Sequence, residues 1–159
     1  MPLFDDQSAE HLRLAVALVE QTIKSLGIDP AATRVAAREG SAAYALKRGS
    51  ASILVVLHPP REGEPDGTMR VVAPVIALPA PDRRPALYQH LLELNGGELL
   101  GVAFGIVGAD VVVISERSVR DLDESEVDAT LRAVGRVADR YDDALARDFG
   151  ATRSADRAS

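Results

Sequence analysis

The sequence predicts an α+β domain of order α-β-β-β-α-β-β-α, with a mainly antiparallel sheet packed against helices. Three observations predict it. Apolar residues recur at the helical period in three stretches, two near the ends and one in the middle. Between them lie five short runs of alternating or branched apolar residues, the pattern of strands. Within each group, of three and of two, the runs follow one another with only turns or a loop between, which favours antiparallel neighbours with helices laid against them.

The first helix is predicted over about Ser8 to Leu26. Asp5, Asp6 and Ser8 offer N-caps, Glu10 suits the first turn, and Gly27 supplies the residue after the helix. Leu12, Val16, Val19, Ile23 and Leu26 keep the helical period and are expected in the core, whereas Leu14 and Leu18 fall on another side. A helix apolar on two faces must bury both or offer one to a partner. Asp29 to Gly40 reads equally as a loop or a short strand. Tyr44 to Arg48 and Ser52 to His58 read as strands joined at Gly49-Ser50. The second is apolar on both faces, so it is expected to be central or covered on both sides.

Pro59 to Gly67 breaks the pattern. A third strand is predicted from Met69 to Leu78, and Pro74 within it cannot donate a ladder hydrogen bond, which places it at an edge or a bulge. The second helix runs from about Asp82 to Asn95, with Pro85 in its first turn and a Leu87, Leu91, Leu94 stripe. Asn95 reads as a helix-ending residue whose amide serves the last carbonyls, with a ligand contact as the alternative. Strands follow from Leu99 to Val107 and from Val111 to Glu116, turned at Gly108-Ala109-Asp110. The last helix starts at Asp123 with Glu126 in a capping-box arrangement. Val127, Leu131, Val134, Ala138, Tyr141 and Leu145 form its core stripe. The domain limits are thus a flexible 1–7, a single domain over 8–150, and a polar tail over 151–159 expected to be disordered.

Composition excludes several functions. There is no cysteine, hence neither a disulfide framework nor a cysteine-based zinc site. Net charge is −6, against a nucleic-acid partner bound through its phosphates. The first ten residues lack the basic and apolar regions of a signal peptide, and the run Leu99 to Ala109 is too short to cross a membrane. A cytoplasmic protein with no membrane partner is expected. His11, His58 and His90 show no metal-ligand spacing, and Asp121, Asp123, Glu124 and Glu126 lack the calcium-loop pattern, so no metal and no cofactor is expected. No nucleophile elbow and no phosphate-binding glycine loop is present, so no catalytic residue is assigned.

The segments LLELN (Leu91 to Asn95), AFGI (Ala103 to Ile106), VVVISE (Val111 to Glu116) and RVADRYDDALARDFG (Arg136 to Gly150) resemble the YbjN-type domain. That family is similar in fold to the class I type III secretion chaperones, the Tir-chaperone group. The resemblance covers roughly residues 41 to 150. It implies the same element order, frequent dimerisation, and binding of extended segments of partner proteins; YbjN-like domains are also labelled sensory-transduction regulators. It supplies no catalytic residues.

The expected function is a non-enzymatic, chaperone-like module that captures an extended peptide. Strand edges and apolar grooves beside helices are the two features such capture uses. Leu14 and Leu18 on the first helix, with Met69, Val71 and Val72 on the Pro74 strand, are the candidate contacts. A small dimeric regulator is the first alternative, and a small-molecule binder or enzyme the second. The excess apolar surface of the first two helices implies a homodimer.

Overall fold

The structure, a computed structural model, describes residues 2–157, with side chains from residue 7 onward. Among the described residues there are five α-helices: α1 (Pro2–Ser25), α2 (Pro30–Thr33), α3 (Arg84–Gly97), α4 (Glu124–Phe149) and α5 (Ser154–Arg157). Six strands, β1 (Arg34–Val35), β2 (Ala42–Arg48), β3 (Ala51–His58), β4 (Thr68–Ala77), β5 (Ala103–Val107) and β6 (Asp110–Ser118), form one antiparallel sheet ordered β1-β2-β3-β4-β6-β5. Helices pack on the sheet, so the predicted α+β class and element order hold, with α2, β1 and α5 as short additions.

The chain divides into two compact units. The first comprises Met1–Leu46, Leu54–Val71 and Glu116–Leu131, the second Lys47–Ile53, Val72–Ser115 and Arg132–Ser159.

In the first unit, α1 buries Ala15, Val19, Thr22 and Ile23. This stripe is rotated from the expected one: Leu12 and Val16 are only half-buried and Leu26 is exposed. Thr22 can sit in the core because its hydroxyl donates to Leu18 O at 2.9 Å. The ambiguous Asp29–Gly40 region resolves into one helical turn and a two-residue strand. Asp29 caps the turn by accepting the Ala31 N–H at 3.0 Å, and Arg34 and Val35 pair with Tyr44 and Ala43. Tyr44 is fully buried, and its hydroxyl donates to Glu20 on α1 at 2.6 Å. At Gly67, a Cβ would stand 2.4 Å from His58 O, so glycine alone lets the two strand ends of the β3–β4 loop close.

In the second unit, Leu87, Leu91 and Leu94 of α3 are buried as expected, and Phe104 meets Tyr141 edge-on at 5.5 Å. Val134, Ala138, Tyr141 and Leu145 carry the α4 stripe through this unit. A Cβ at Gly135 would stand 2.9 Å from Arg48 and 3.1 Å from Ile53 side-chain atoms, so the glycine sets how closely α4 approaches β2 and β3.

Three expectations need correction. The Pro74 strand is not an edge: β4 lies between β3 and β6, because the chain returns after α3 beside it. The irregularity the proline needs appears instead as a slip in the inside–outside alternation, Val75 and Ile76 both being buried. α1 starts at Pro2, earlier than Ser8, and Met1 lies outside the described residues. The segment expected to be a disordered tail is docked over 151–157: the Ala77 N–H donates to Thr152 O at 2.9 Å and Arg153 bridges Ile76. Backbone pairing requires no apolar pattern, which is why composition did not reveal it. Ala158 and Ser159 lie outside the described residues.

Candidate peptide-binding groove

In the first unit, the outer side of α1 forms one wall of an open groove of about 510 Å³. Leu14 and Leu18 are one turn apart on it, with Ala17 and Gln21 alongside. The opposite wall is the turn after β6, which contributes Val119, Asp121 and Leu122. Leu14 is 51% exposed although it is a large aliphatic residue, and Leu18 is half-buried.

That turn is held from several sides. The Val119 N–H donates to Gly67 O at 3.0 Å, and the Arg120 N–H donates to Ser118 Oγ at 3.1 Å. Asp121 has φ of 54°, a left-handed conformation that aspartate tolerates better than most residues. Asp66 ties the turn to the helix. Its buried carboxylate accepts from His11 Nδ1 at 2.9 Å and pairs with Arg120 Nε at 2.8 Å. The His11 hydrogen bond, helped by Arg120, holds Asp66 below the usual carboxylate range despite burial. Gln21 adds a further tie, donating to Glu124 at 3.1 Å.

Of the sequence-predicted contacts, Leu14 and Leu18 come together in this groove. The β4 residues do not line it. Met69 and Val71 are fully buried on the inward side of β4 and are core residues, and Val72, on the alternate side, is half-buried. An inner strand and an edge strand share one alternation, and only the sheet order distinguishes them. Sequence reasoning also missed Asp66, His11 and Arg120. Asp66 sits in a proline- and glycine-rich loop that reads as a breaker, and its partners lie 55 and 54 residues away along the chain.

Two other expected placements differ. Asn95 does not serve its own helix end; its amide bonds the backbone of Phe104. The strand expected from Leu99 begins at Ala103. No described helix is long and apolar enough to cross a membrane.

A family model described as "YbjN: Putative bacterial sensory transduction regulator" matches residues 15–147. The chain belongs to the YbjN family. The match reaches into α1, beyond the region from residue 41 that carried the motif resemblance. No curated protein matches this YbjN chain in sequence. Solved structures resemble it in fold, among them the following two. One is a chain of the ExsC–ExsE complex, at 16% identity and a TM-score of 0.55, covering 87% of this chain and 95% of that one. The other is from the structure of the Yersinia pestis type III secretion chaperone SycH in complex with a stable fragment of YscM2. It has 16% identity and a TM-score of 0.50, covering 79% of this chain and 98% of that one.

Proposed function

We propose that this YbjN-family chain is a non-enzymatic, chaperone-like module of the cytoplasm that captures an extended segment of a partner protein along α1. The observation that carries the reading is the groove itself: Leu14 and Leu18 are presented on a helix whose other side is buried, opposite a pinned turn. Apolar side chains kept at the surface of a rigid groove are a means of side-chain recognition. The fold shared with proteins solved in complexes supports it. The test is Leu14→Asp with Leu18→Asp. Partners co-purified with the native chain are identified by mass spectrometry and re-measured with the variant. The expected result is an unchanged circular dichroism spectrum and loss of a specific partner. An unfolded variant, or a folded one that keeps the partner, removes α1 from the site.

A second reading, a small dimeric regulator, is favoured by a separate observation. In the second unit Leu92 on α3 is 70% exposed, and Ile106 and Val107 on β5, which packs against α3, are also exposed. These residues would form a face for a second copy. Sedimentation should then give a homodimer at micromolar concentration that Leu92→Asp with Ile106→Asp converts to monomer. A wild-type monomer under those conditions excludes the reading.

A further inference from the structure

The segment 151–157 lies in the second unit as a short strap rather than as part of its core. Successive N–H groups of a strand point to opposite flanks. At the end of β4, Leu78 donates to Ala109 O at 2.8 Å on one flank, and Ala77 donates to Thr152 O at 2.9 Å on the other. Beyond Pro74, β4 therefore offers a backbone slot that the strap fills with one antiparallel bridge, Ile76 to Arg153.

The charge of the slot specifies what can fill it. Asp142 is only 7% exposed; its Oδ1 accepts the Asp143 N–H at 2.7 Å, and its side-chain partners are Ser50 Oγ at 3.4 Å and Arg153 at 4.0 Å. The same guanidinium reaches Asp143 at 2.6 Å and Asp156 at 2.8 Å. A second arginine, Arg157, pairs with Asp110. A buried carboxylate without a cation is costly, and a planar guanidinium can bridge two carboxylates where an ammonium acts as a point charge.

The strap fits this slot loosely. A cavity of about 250 Å³ remains beside it, lined by Ser52, Val75 and Ala138 on the body and by Ser154 and Ala155 on the strap. α5 has no buried residue, and Asp143 is 78% exposed, so the Arg153–Asp143 pair is screened and contributes little. Segments held by few buried contacts open locally before the fold does.

We propose that this flank of β4 is a docking slot for an extended, arginine-bearing segment of a partner protein, with residues 151–157 its resident competitor in cis. Strand pairing would supply sequence-independent affinity, the buried Asp142 carboxylate would select arginine, and the cavity would admit a side chain larger than Ser154 or Ala155. The slot is separate from the α1 groove and does not depend on that reading.

The test uses the full chain and a fluorescent peptide, Ala-Thr-Arg-Ser-Ala-Asp-Arg, copied from the strap. Arg153→Ala in the protein should loosen the strap and raise peptide affinity at least tenfold over wild type by fluorescence anisotropy. A peptide with alanine at its first arginine should not bind. No binding to the variant, or equal binding to both proteins, overturns the proposal. Binding that occurs only as a dimer splits would show a second copy's strap to be the occupant, also overturning it. Hydrogen exchange on the wild-type chain gives an independent reading: the Ala77 amide should exchange by local opening, well ahead of the β6 core amides. Exchange of Ala77 only with global unfolding would make the strap a permanent part of the fold.

Discussion

Asn95 holds Phe104 by both of its backbone groups: the side-chain NH₂ donates to Phe104 O at 3.1 Å, and the Phe104 N–H donates to Asn95 Oδ1 at 2.7 Å. A carboxamide presents a donor and an acceptor side by side, as a neighbouring strand would. β5 is the last strand of the sheet, so the outward backbone of Phe104 would otherwise be an open edge. Helix α3 thus closes one position of that edge with its final turn.

Replacing Asn95 by alanine removes two partly buried hydrogen bonds and leaves the Phe104 backbone unpaired. The expected loss is about 1–3 kcal/mol, seen as a lower midpoint in urea. The reopened edge should also raise light scattering on heating. A variant as stable as wild type would mean that water replaces the amide at no cost.

The Tyr44–Glu20 bond gives an alkaline signature. Burial, then the Glu20 hydrogen bond and charge, push the Tyr44 phenol up to about 12. A group with a raised folded value stabilises fully below its unfolded pKa, near 10, and loses that contribution as pH rises through the folded value. Stability should therefore fall between about pH 10 and 12. The absorbance step of tyrosinate near pH 12 should vanish in Tyr44→Phe and move to lower pH in Glu20→Gln. A Tyr44 step at the ordinary tyrosine value would contradict the buried phenol and its bond to Glu20.

Asp66 acts at the other end of the scale. Its depressed carboxyl stabilises the fold above the unfolded aspartate value, near 3.9, and loses that contribution as pH falls through the folded value. At neutral pH, Asp66→Asn should lower the melting temperature by weakening the ties to His11 and Arg120. The gap between variant and wild type should narrow in acid, once wild-type Asp66 is protonated. A gap that is constant from pH 7 to pH 3 would mean that the carboxylate charge is not what holds the turn. Because that turn is one wall of the α1 groove, the variant should also weaken partner capture at neutral pH.

What the sequence revealed and what it concealed follow from the range of each interaction. The last helix was readable because its start is local: Asp123 Oδ1 accepts the Glu126 N–H at 2.9 Å, and Glu126 Oε2 accepts the Asp123 N–H at 3.1 Å. Leu14 and Leu18 were identifiable as a second helix face from spacing alone. The place of β4 was not, since inner and edge strands differ in neighbours that arrive from distant segments. Asp66 was hidden for the same reason, its partners being far along the chain. The 151–157 strap was hidden because one backbone bridge and a cluster of arginine pairs carry no hydrophobic period.

Two glycines separate a steric requirement from a merely local preference. Gly67 sits at the end of the β3–β4 loop, where an added Cβ would meet His58 O at 2.4 Å and Leu12 Cδ1 at 3.3 Å. The first contact is with backbone, which cannot rotate away as a side chain could. Its carbonyl is also committed, since Gly67 O accepts from the Val119 N–H. Gly67→Ala should therefore cost about 3 kcal/mol and shift the turn that walls the α1 groove. Gly96, near the end of α3, has nothing within 4 Å of an added Cβ and no positive φ. Alanine there lowers the entropy lost on folding and should stabilise by about 0.5–1 kcal/mol. Chemical denaturation of the two variants measures both. A Gly67→Ala chain that is as stable as wild type would show that the loop relaxes to admit the methyl group, and that the close approach to His58 does not position the groove.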